Sequence, residues 1–295
     1  MKKQKTLISI LIINYNNGKL LTRSINSCLE QKYKNIEILI FDDKSSDNSK
    51  KILHEYKKNK RVRVFFNQNK KKNIAALDAM NGYLRLFKKS KGSLICLLDS
   101  DDYFHKSKIR EISKIFSKRK EIDFVQNLPY IKNKIKIKKK INKNSPLSFW
   151  PYLAPESCIS FRRKFMNSFL KANKKFINNF EDIWLGFRMG VYAFFCLKKF
   201  YTANINLTFY ESLGQSKKYR LLNKNWIKRR KNSFEYLKCI TKNKNLLNKN
   251  LDYLITNFIS KNKPDIIIHT AGVVGGIEAN IDNPVKFLVE NTQIG

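Results

Sequence analysis

Asp99, Asp101 and Asp102 follow directly on the apolar run Leu94–Leu98 in the stretch LICLLDSDDYF, in a chain that carries 60 Lys+Arg and only 23 Asp+Glu. Carboxylates two residues apart at a strand end can both reach one hard cation. Mg²⁺ or Mn²⁺ takes oxygen ligands and commonly keeps substrate phosphates in its shell. A cation bridged in this way would neutralise a diphosphate, as a nucleotide leaving group requires. The same residues can instead be read as an aspartate-rich turn, with Asp102 capping a helix near Lys106. Two further acid pairs stand out, Asp42-Asp43 in FDDKSS and Glu181-Asp182 in NFEDIW. The first can be a polar turn, and the second a pair of acids favoured by the dipole at a helix N-terminus.

The elements that must position these acids are legible in the hydrophobic periods. Leu7–Ile13 is an apolar run interrupted only by Ser9, as expected of a strand buried on both faces. Ile36–Phe41, Val62–Phe66, Ser93–Leu98 and Ile122–Val125 read as further strands. Between them, Leu20, Leu21, Ile25, Cys28 and Leu29 recur at helical spacing, as do Ile52, Leu53 and Tyr56 after the N-cap residues of SSDNS. Ile74, Leu77, Met80, Leu84 and Phe87 mark a third helix, and Ile109, Ile112, Ile115 and Phe116 a fourth. Alternation of this kind implies an α/β fold, a mostly parallel, Rossmann-like sheet flanked by helices. Ligands bind beyond the carboxyl ends of such strands. Asn14-Tyr15-Asn16, Asp42-Asp43 and Asp99–Asp102 would therefore converge on one rim.

Beyond residue 126 the pattern loosens. YIKNKIKIKKKINK alternates Ile with Lys, as an edge strand or a loop would. ESCISFRR reads as a short strand, NFEDIWLGFRMGVYAFF as a loop entering an aromatic helix, and residues 215–250 as a basic helical extension. The net charge of +37 implies attraction to anions, or codon drift in an AT-rich genome. Five scattered cysteines without a C-x-x-C pair fit reduced thiols in a cytoplasmic protein. MKKQKTLISILII imitates a signal peptide but reads as the first strand, because NYNNGK follows where a cleavage site would stand. No apolar stretch approaches the ~18 residues of a membrane span.

SILIINYNNGKLLTRSINSCLEQKYKNIEILIFDDKSSDNS, KGSLICLLDSDDYF and NFEDIWLGFRMG together resemble the family 2 glycosyltransferases, which have a GT-A fold. The resemblance covers about residues 5–210. It implies that Asn14 and Tyr15 sit by a nucleotide base and that Asp43 accepts a hydrogen bond from it, with uracil the expected base. It implies that Asp99 lies near the ribose and phosphates, that Asp101 is the metal ligand for Mg²⁺ or Mn²⁺, and that Asp102 helps indirectly. Asp182, with Glu181 beside it, becomes the general base of an inverting transfer. In such a reaction a carboxylate faces the departing group across an oxocarbenium-like centre. Ile13 departs from the family, which often has Pro there. Lys71 or Lys72 is the candidate cation near the diphosphate, and Arg162 or Arg163 the candidate contact for an anionic acceptor.

Residues 261–295 have another composition. From Pro264 to Gly295 there are four acids and a single lysine. HTAG and VGGIEAN there resemble the NAD-dependent epimerase/dehydratase family, GDP-L-fucose synthases most closely. The resemblance covers a fragment without the Gly-rich turn or the Tyr-x-x-x-Lys such enzymes use, so no reductase activity is expected of it. The expected organisation is a GT-A domain over 1–213, a basic helical extension over 214–260 and the epimerase-like fragment over 261–295. The expected partners are a nucleotide-sugar donor and a glycan or lipid-linked acceptor. The basic segment around Trp226 could rest on an anionic membrane, at its inner face, or pack on the domain as a solvated helix. A nucleic-acid-binding protein is the alternative from the charge, although no recognition motif supports specific binding. A nucleotidyltransferase is the alternative from the sheet, and it would not need the Glu-Asp pair.

Overall fold

We describe the protein from a computed structural model, over residues 6–131, 135–136, 151–211 and 224–242. The first half alternates as the periods predict: β1 (Ile8–Asn14), α1 (Gly18–Leu29), β2 (Ile36–Asp42), α2 (Ser49–Tyr56), β3 (Val62–Phe66), α3 (Ala75–Lys89) and β4 (Leu94–Asp99). A two-residue β5 (Tyr103–Phe104), α4 (Lys108–Lys118) and β6 (Phe124–Ile131) follow. β7 (Ile135–Lys136) pairs antiparallel with β6. A 3₁₀ turn at Glu156–Cys158 leads into β8 (Ile159–Arg162), α5 (Arg163–Asn173), α6 (Leu185–Val191) and the long β9 (Phe200–Tyr210). α7 (Lys224–Thr241) is the described part of the basic extension.

The sheet runs in the order β3-β2-β1-β4-β8-β6-β9-β5. β1 to β4 are parallel, β8 enters antiparallel, and β6 and β9 run parallel to each other. The core follows from the apolar runs. Ile8, Ile10, Ile12, Ile38, Ile40, Cys96 and Leu98 are all buried, and Leu21, Ile25, Leu53, Ile109 and Phe116 of the helices join the same cluster. Each such side chain contributes ~1.5–3 kcal/mol by leaving water.

Register sets the rim. Ile13 pairs with Phe41 on one side and Asp99 on the other, and Asn14 pairs with Asp42. Strands β2, β1 and β4 therefore end at one level. Two inter-strand steps put Asp42 and Asp99 roughly 10 Å apart.

Three features depart from expectation. β9 is a full sheet strand, yet FYTANINLTFY has no clean alternation. Its ladder with β6 shifts register around Leu128, and Ile205 is 42% exposed. The aromatic helix is a short α6 followed by a π-helical turn at Tyr192–Cys196. Asp102 does not cap a helix, since α4 begins after Ser107. Most of the Ile/Lys stretch at 130–143 and all of 261–295 lie outside the described residues. Contacts divide the chain into Met1–Ile141 with Tyr152–Leu213, and Asn142–Pro151 with Gly214–Gly295. Among the described residues no helix is long and apolar enough to cross a membrane.

Candidate active site

The site lies in the first of these units and has three parts. The first is the turn after β1 and the turn after β2. Tyr15 is 51% exposed, an unusual position for a large ring. Asp43 sits beside it, with Oδ1 accepting from Asn67 Nδ2 at 2.5 Å and Oδ2 paired with Lys71 Nζ at 3.2 Å. The Lys71 ammonium also lies 3.1 Å from the centroid of the Tyr15 ring. Lys71, a candidate for a diphosphate contact, thus lies across the ring and the carboxylate. Asn16 and Lys44 take left-handed backbone conformations, with φ of 53° and 59°. Non-glycine residues hold that conformation only when surrounding bonds impose it. Here Asn16 Oδ1 accepts the Ser46 N–H at 2.8 Å, and Ser45 Oγ accepts the Asn16 N–H at 2.9 Å.

Asn14 lies inside the same turn. It is 2% exposed, and its amide donates to Asp42 Oδ2 at 2.8 Å and Ser45 Oγ at 3.2 Å. It stands beneath the Tyr15 surface, where it braces the turn. Asp42 is fully buried in the same network and accepts the Ser45 N–H at 3.0 Å.

The second part is the acidic floor at the end of β4. Asp99 accepts from the buried Tyr83 hydroxyl at 2.7 Å, and its N–H donates to Ser157 Oγ at 3.0 Å. Burial, then the Asp101 charge, push the Asp99 carboxyl up to about 7. Burial raises Asp101 as well, with Glu211 adding to the effect and Arg23 opposing it. Asp102 is fully buried, and burial with its two neighbours holds it well above the usual carboxylate range. Its Oδ1 accepts the Glu211 N–H at 3.0 Å, while Oδ2 is buried with no hydrogen-bond partner. Asp102 is buried and Asp99 and Asp101 are half-buried, so the three carboxylates repel one another in poor contact with water, and a bound cation would relieve that repulsion.

The nearby protein cations relieve little of it. Arg23 donates to the Asp101 carbonyl at 2.9 Å and pairs with Glu211 at 2.7 Å. Lys108 is fully buried and donates to the Ser157 carbonyl and, at 2.8 Å, to Thr208 Oγ1; burial lowers its pKa. Among the described residues no three His, Cys, Asp or Glu side chains converge as a metal cage. The oxygen donors of Asp99 and Asp101 and the buried, unpartnered Oδ2 of Asp102 are of the type that Mg²⁺ or Mn²⁺ takes.

The third part is the loop before α6. Glu181 is exposed and Asp182 is half-buried. Both precede the helix instead of sitting in its first turn, so the helix-dipole explanation does not account for them. The loop is held from inside. Arg188 of α6 is fully buried and donates to the carbonyls of Ile177, Asn179, Phe180 and Ile183 at 2.6–3.1 Å. One of these residues, Phe180, is left-handed with φ 59°. Arg188→Met is expected to destabilise the protein by about 3 kcal/mol, because buried carbonyls lose their donors. Urea unfolding checks this, and an unchanged midpoint would contradict it.

Arg162 lies away from the acids at the end of β4. It pairs with Leu94, at the opposite end of β4 from Asp99. Its guanidinium donates to the carbonyls of Ile122, Phe116 and Arg119 and faces Asp123 at 3.5 Å. It is a structural clamp on the far rim, not an acceptor contact. Arg163 is likewise held by the Gly92 carbonyl and Ser90 Oγ. His54 stacks on Phe66, and His105 bonds to Ser107.

Tyr83, Arg23, Lys108, Glu156 and Arg188 escape sequence reasoning. Each is a polar group on an amphipathic or turn segment, and the pattern assigns such groups to solvent. Glu156 is the most telling: it is 6% exposed, and burial followed by the Asp99 charge pushes it up to about 8.

These shifts fix the sign of a pH effect. A carboxyl whose pKa is higher in the fold takes up a proton on folding, so stability falls as pH rises through the gap. The gap runs from 3.8 to about 7 for Asp99 and from 4.5 to about 8 for Glu156. His105, whose pKa burial lowers, acts in the opposite sense. Metal-free Asp99→Asn is therefore expected to lose less stability than the parent between pH 5 and pH 8. Urea midpoints at the two pH values measure the difference, and parallel slopes would contradict it.

A GT-A sheet, with acids at the ends of β2 and β4 and a Glu-Asp loop, defines the class. Residues 9–202 match the model for glycosyl transferase family 2, and the chain belongs to that family. Residues 215–295 match the NAD dependent epimerase/dehydratase family. In Escherichia coli, the UDP-Glc:alpha-D-GlcNAc-diphosphoundecaprenol beta-1,3-glucosyltransferase WfaP is 38% identical over 103 residues, 35% of this chain and 38% of that protein. GDP-L-colitose synthase of Yersinia pseudotuberculosis is 61% identical over 51 residues, 16% of this chain and 17% of that protein. The chain spans less than half the length of either relative. The crystal structure of S. aureus TarS 1–349 superposes with a TM-score of 0.60 at 13% identity, over 95% of this chain and 78% of that one, a likeness of fold.

Proposed function

We propose that the protein is an inverting, divalent-metal-dependent glycosyltransferase. It moves a sugar from a UDP-sugar to a hydroxyl of a polysaccharide or lipid-linked glycan. The observation that carries this reading is the crowded, raised carboxyl floor of Asp99, Asp101 and Asp102, at one sheet level with Asp43 and the exposed Tyr15. WfaP, named for a UDP-Glc donor and a diphosphoundecaprenol-linked acceptor, supports the substrate class.

Tyr15 stacks under the base, and Asp43 accepts the base N–H once the Lys71 ammonium moves off it. Asp99 stands by the ribose and phosphates, and Asp101 holds the metal. When bound, the cation neutralises the departing diphosphate. Asp182 takes the proton of the acceptor hydroxyl as its oxygen bonds to the anomeric carbon and the bond to the phosphate oxygen breaks. Asp43→Ala is expected to weaken UDP binding by about tenfold or more, the loss of one charged hydrogen bond. Titration calorimetry checks it, and unchanged affinity would remove Asp43 from the base site. The domain division at residues 213 and 260 belongs to the same proposal. So does a cytoplasmic location, with the basic segment at an anionic membrane face.

A GDP-sugar is the second candidate donor, favoured by the match of residues 215–295 and by the colitose synthase likeness. The Asp43 geometry favours uracil. Asn67 already donates to Oδ1 and Lys71 pairs with Oδ2, so a base with one N–H need displace only the Lys71 contact, whereas a base with two would need to displace both. Uracil offers a single N–H, whereas guanine offers a fork of two. The test is release of nucleoside diphosphate from a panel of UDP- and GDP-sugars, with and without Mn²⁺. Metal-dependent turnover of a UDP-sugar is expected, and no turnover of any nucleotide sugar would end the proposal.

A further inference from the structure

Glu156 and Ser157 are adjacent on the 3₁₀ turn before β8, and each reaches a different part of the site. Ser157 Oγ accepts the Asp99 N–H at 3.0 Å. The Ser157 carbonyl is gripped from below by Lys108 Nζ and by Thr208 Oγ1 at 3.2 Å. Glu156 turns the other way, and its Oε1 accepts the N–H of Gly186 in α6 at 2.7 Å. The contact is close. A Cβ on Gly186 would come within 2.7 Å of Ile159 Cδ1 and 2.9 Å of Glu156 Cγ. α6 carries Arg188, which gathers the carbonyls on both sides of Glu181-Asp182. Loop and helix thus form one braced piece, and Glu156 ties that piece to the floor.

We propose that Glu156 is a positioning residue that sets the Asp182 loop relative to the Asp99 floor, an inference that rests on the roles assigned above. A burden remains on the side chain that packing alone would not favour. Oε2 is buried with no hydrogen-bond partner, and an apolar residue would fill the same space without that cost. The bond to Gly186 is what the carboxyl adds. Donor and acceptor halves of a transfer site must be held to a fraction of an ångström, and a misplacement of about 1 Å can cost roughly 10²-fold in rate.

The test compares Glu156→Gln, which keeps an acceptor oxygen, with Glu156→Ala, which does not. Amide exchange without any ligand is the readout that needs no chemistry. Glu156→Ala is expected to speed exchange at Gly186 and across 181–187 by about tenfold, the loss of one buried bond, while Glu156→Gln stays near the parent. In turnover, Glu156→Ala is expected to lose about 10²-fold in kcat with donor KM unchanged, and Glu156→Gln to recover most of it. Unchanged exchange in Glu156→Ala overturns the proposal, as does a Gln variant as impaired as Ala. If the loop loosens in Glu156→Ala but the parent transfers no sugar, the coupling stands and the assigned function fails.

Discussion

Asp182→Asn is expected to bind UDP as the parent does and to transfer sugar about 10²–10⁴-fold more slowly, the range that a general base contributes. The asparagine keeps the shape and loses the capacity to take a proton. Asp182 sits on a loop that Arg188 and Glu156 hold in place, so the substitution should leave the loop undisturbed. Its proposed place on the acceptor side predicts that nucleotide affinity is untouched. The loss therefore falls on kcat and kcat/KM together, the pattern of an interaction made in the transition state. Equal turnover in parent and variant would remove Asp182 from the reaction. A collapse of UDP affinity would place it on the donor side instead.

Asp101→Ala should have the second large effect, with transfer falling by about 10³-fold or more as several kcal/mol of charge stabilisation is lost. Unlike Asp182→Asn, this variant should also lose the metal-dependent part of UDP affinity. Chelation of the parent by EDTA should reproduce both losses and add little to the variant. An Asp101→Ala protein that still responds to Mn²⁺ would mean that another carboxylate holds the cation. Asp102, fully buried and hydrogen-bonded to the Glu211 N–H, would be the next to examine.

The half of the fold that carries the acids after β2 and β4 was legible in the sequence because its strands are largely buried on both faces. Leu94–Leu98 is an unbroken apolar run, Leu7–Ile13 is interrupted only by Ser9 and Ile36–Phe41 only by Glu37, and each ends at a polar residue, Asp99, Asn14 or Asp42. The acids at those ends were visible for the same reason. β9 was not, because its buried and exposed positions do not alternate and a register shift interrupts its ladder with β6. Arg162 was misjudged because nothing local tells that β8 runs antiparallel to β4, which sends its arginine to the far rim. Buried charge was the larger gap. Lys108 and Arg188 lie on helices whose pattern assigns charge to solvent, and both are fully buried. Lys108 is satisfied by a carbonyl and a hydroxyl from distant segments, and Arg188 by the carbonyls of the loop that precedes its own helix, and no spacing rule encodes either.

A crystal of the full chain grown with UDP and MnCl₂, measured at a wavelength where manganese scatters anomalously, tests the central claim most directly. The expected map has one manganese peak at ordinary coordination distance from an Asp101 oxygen and from both phosphates, with uracil on Tyr15 and its N–H on Asp43 in the place Lys71 now holds. Manganese bound away from Asp101, or nucleotide bound away from Tyr15 and Asp43, would contradict it.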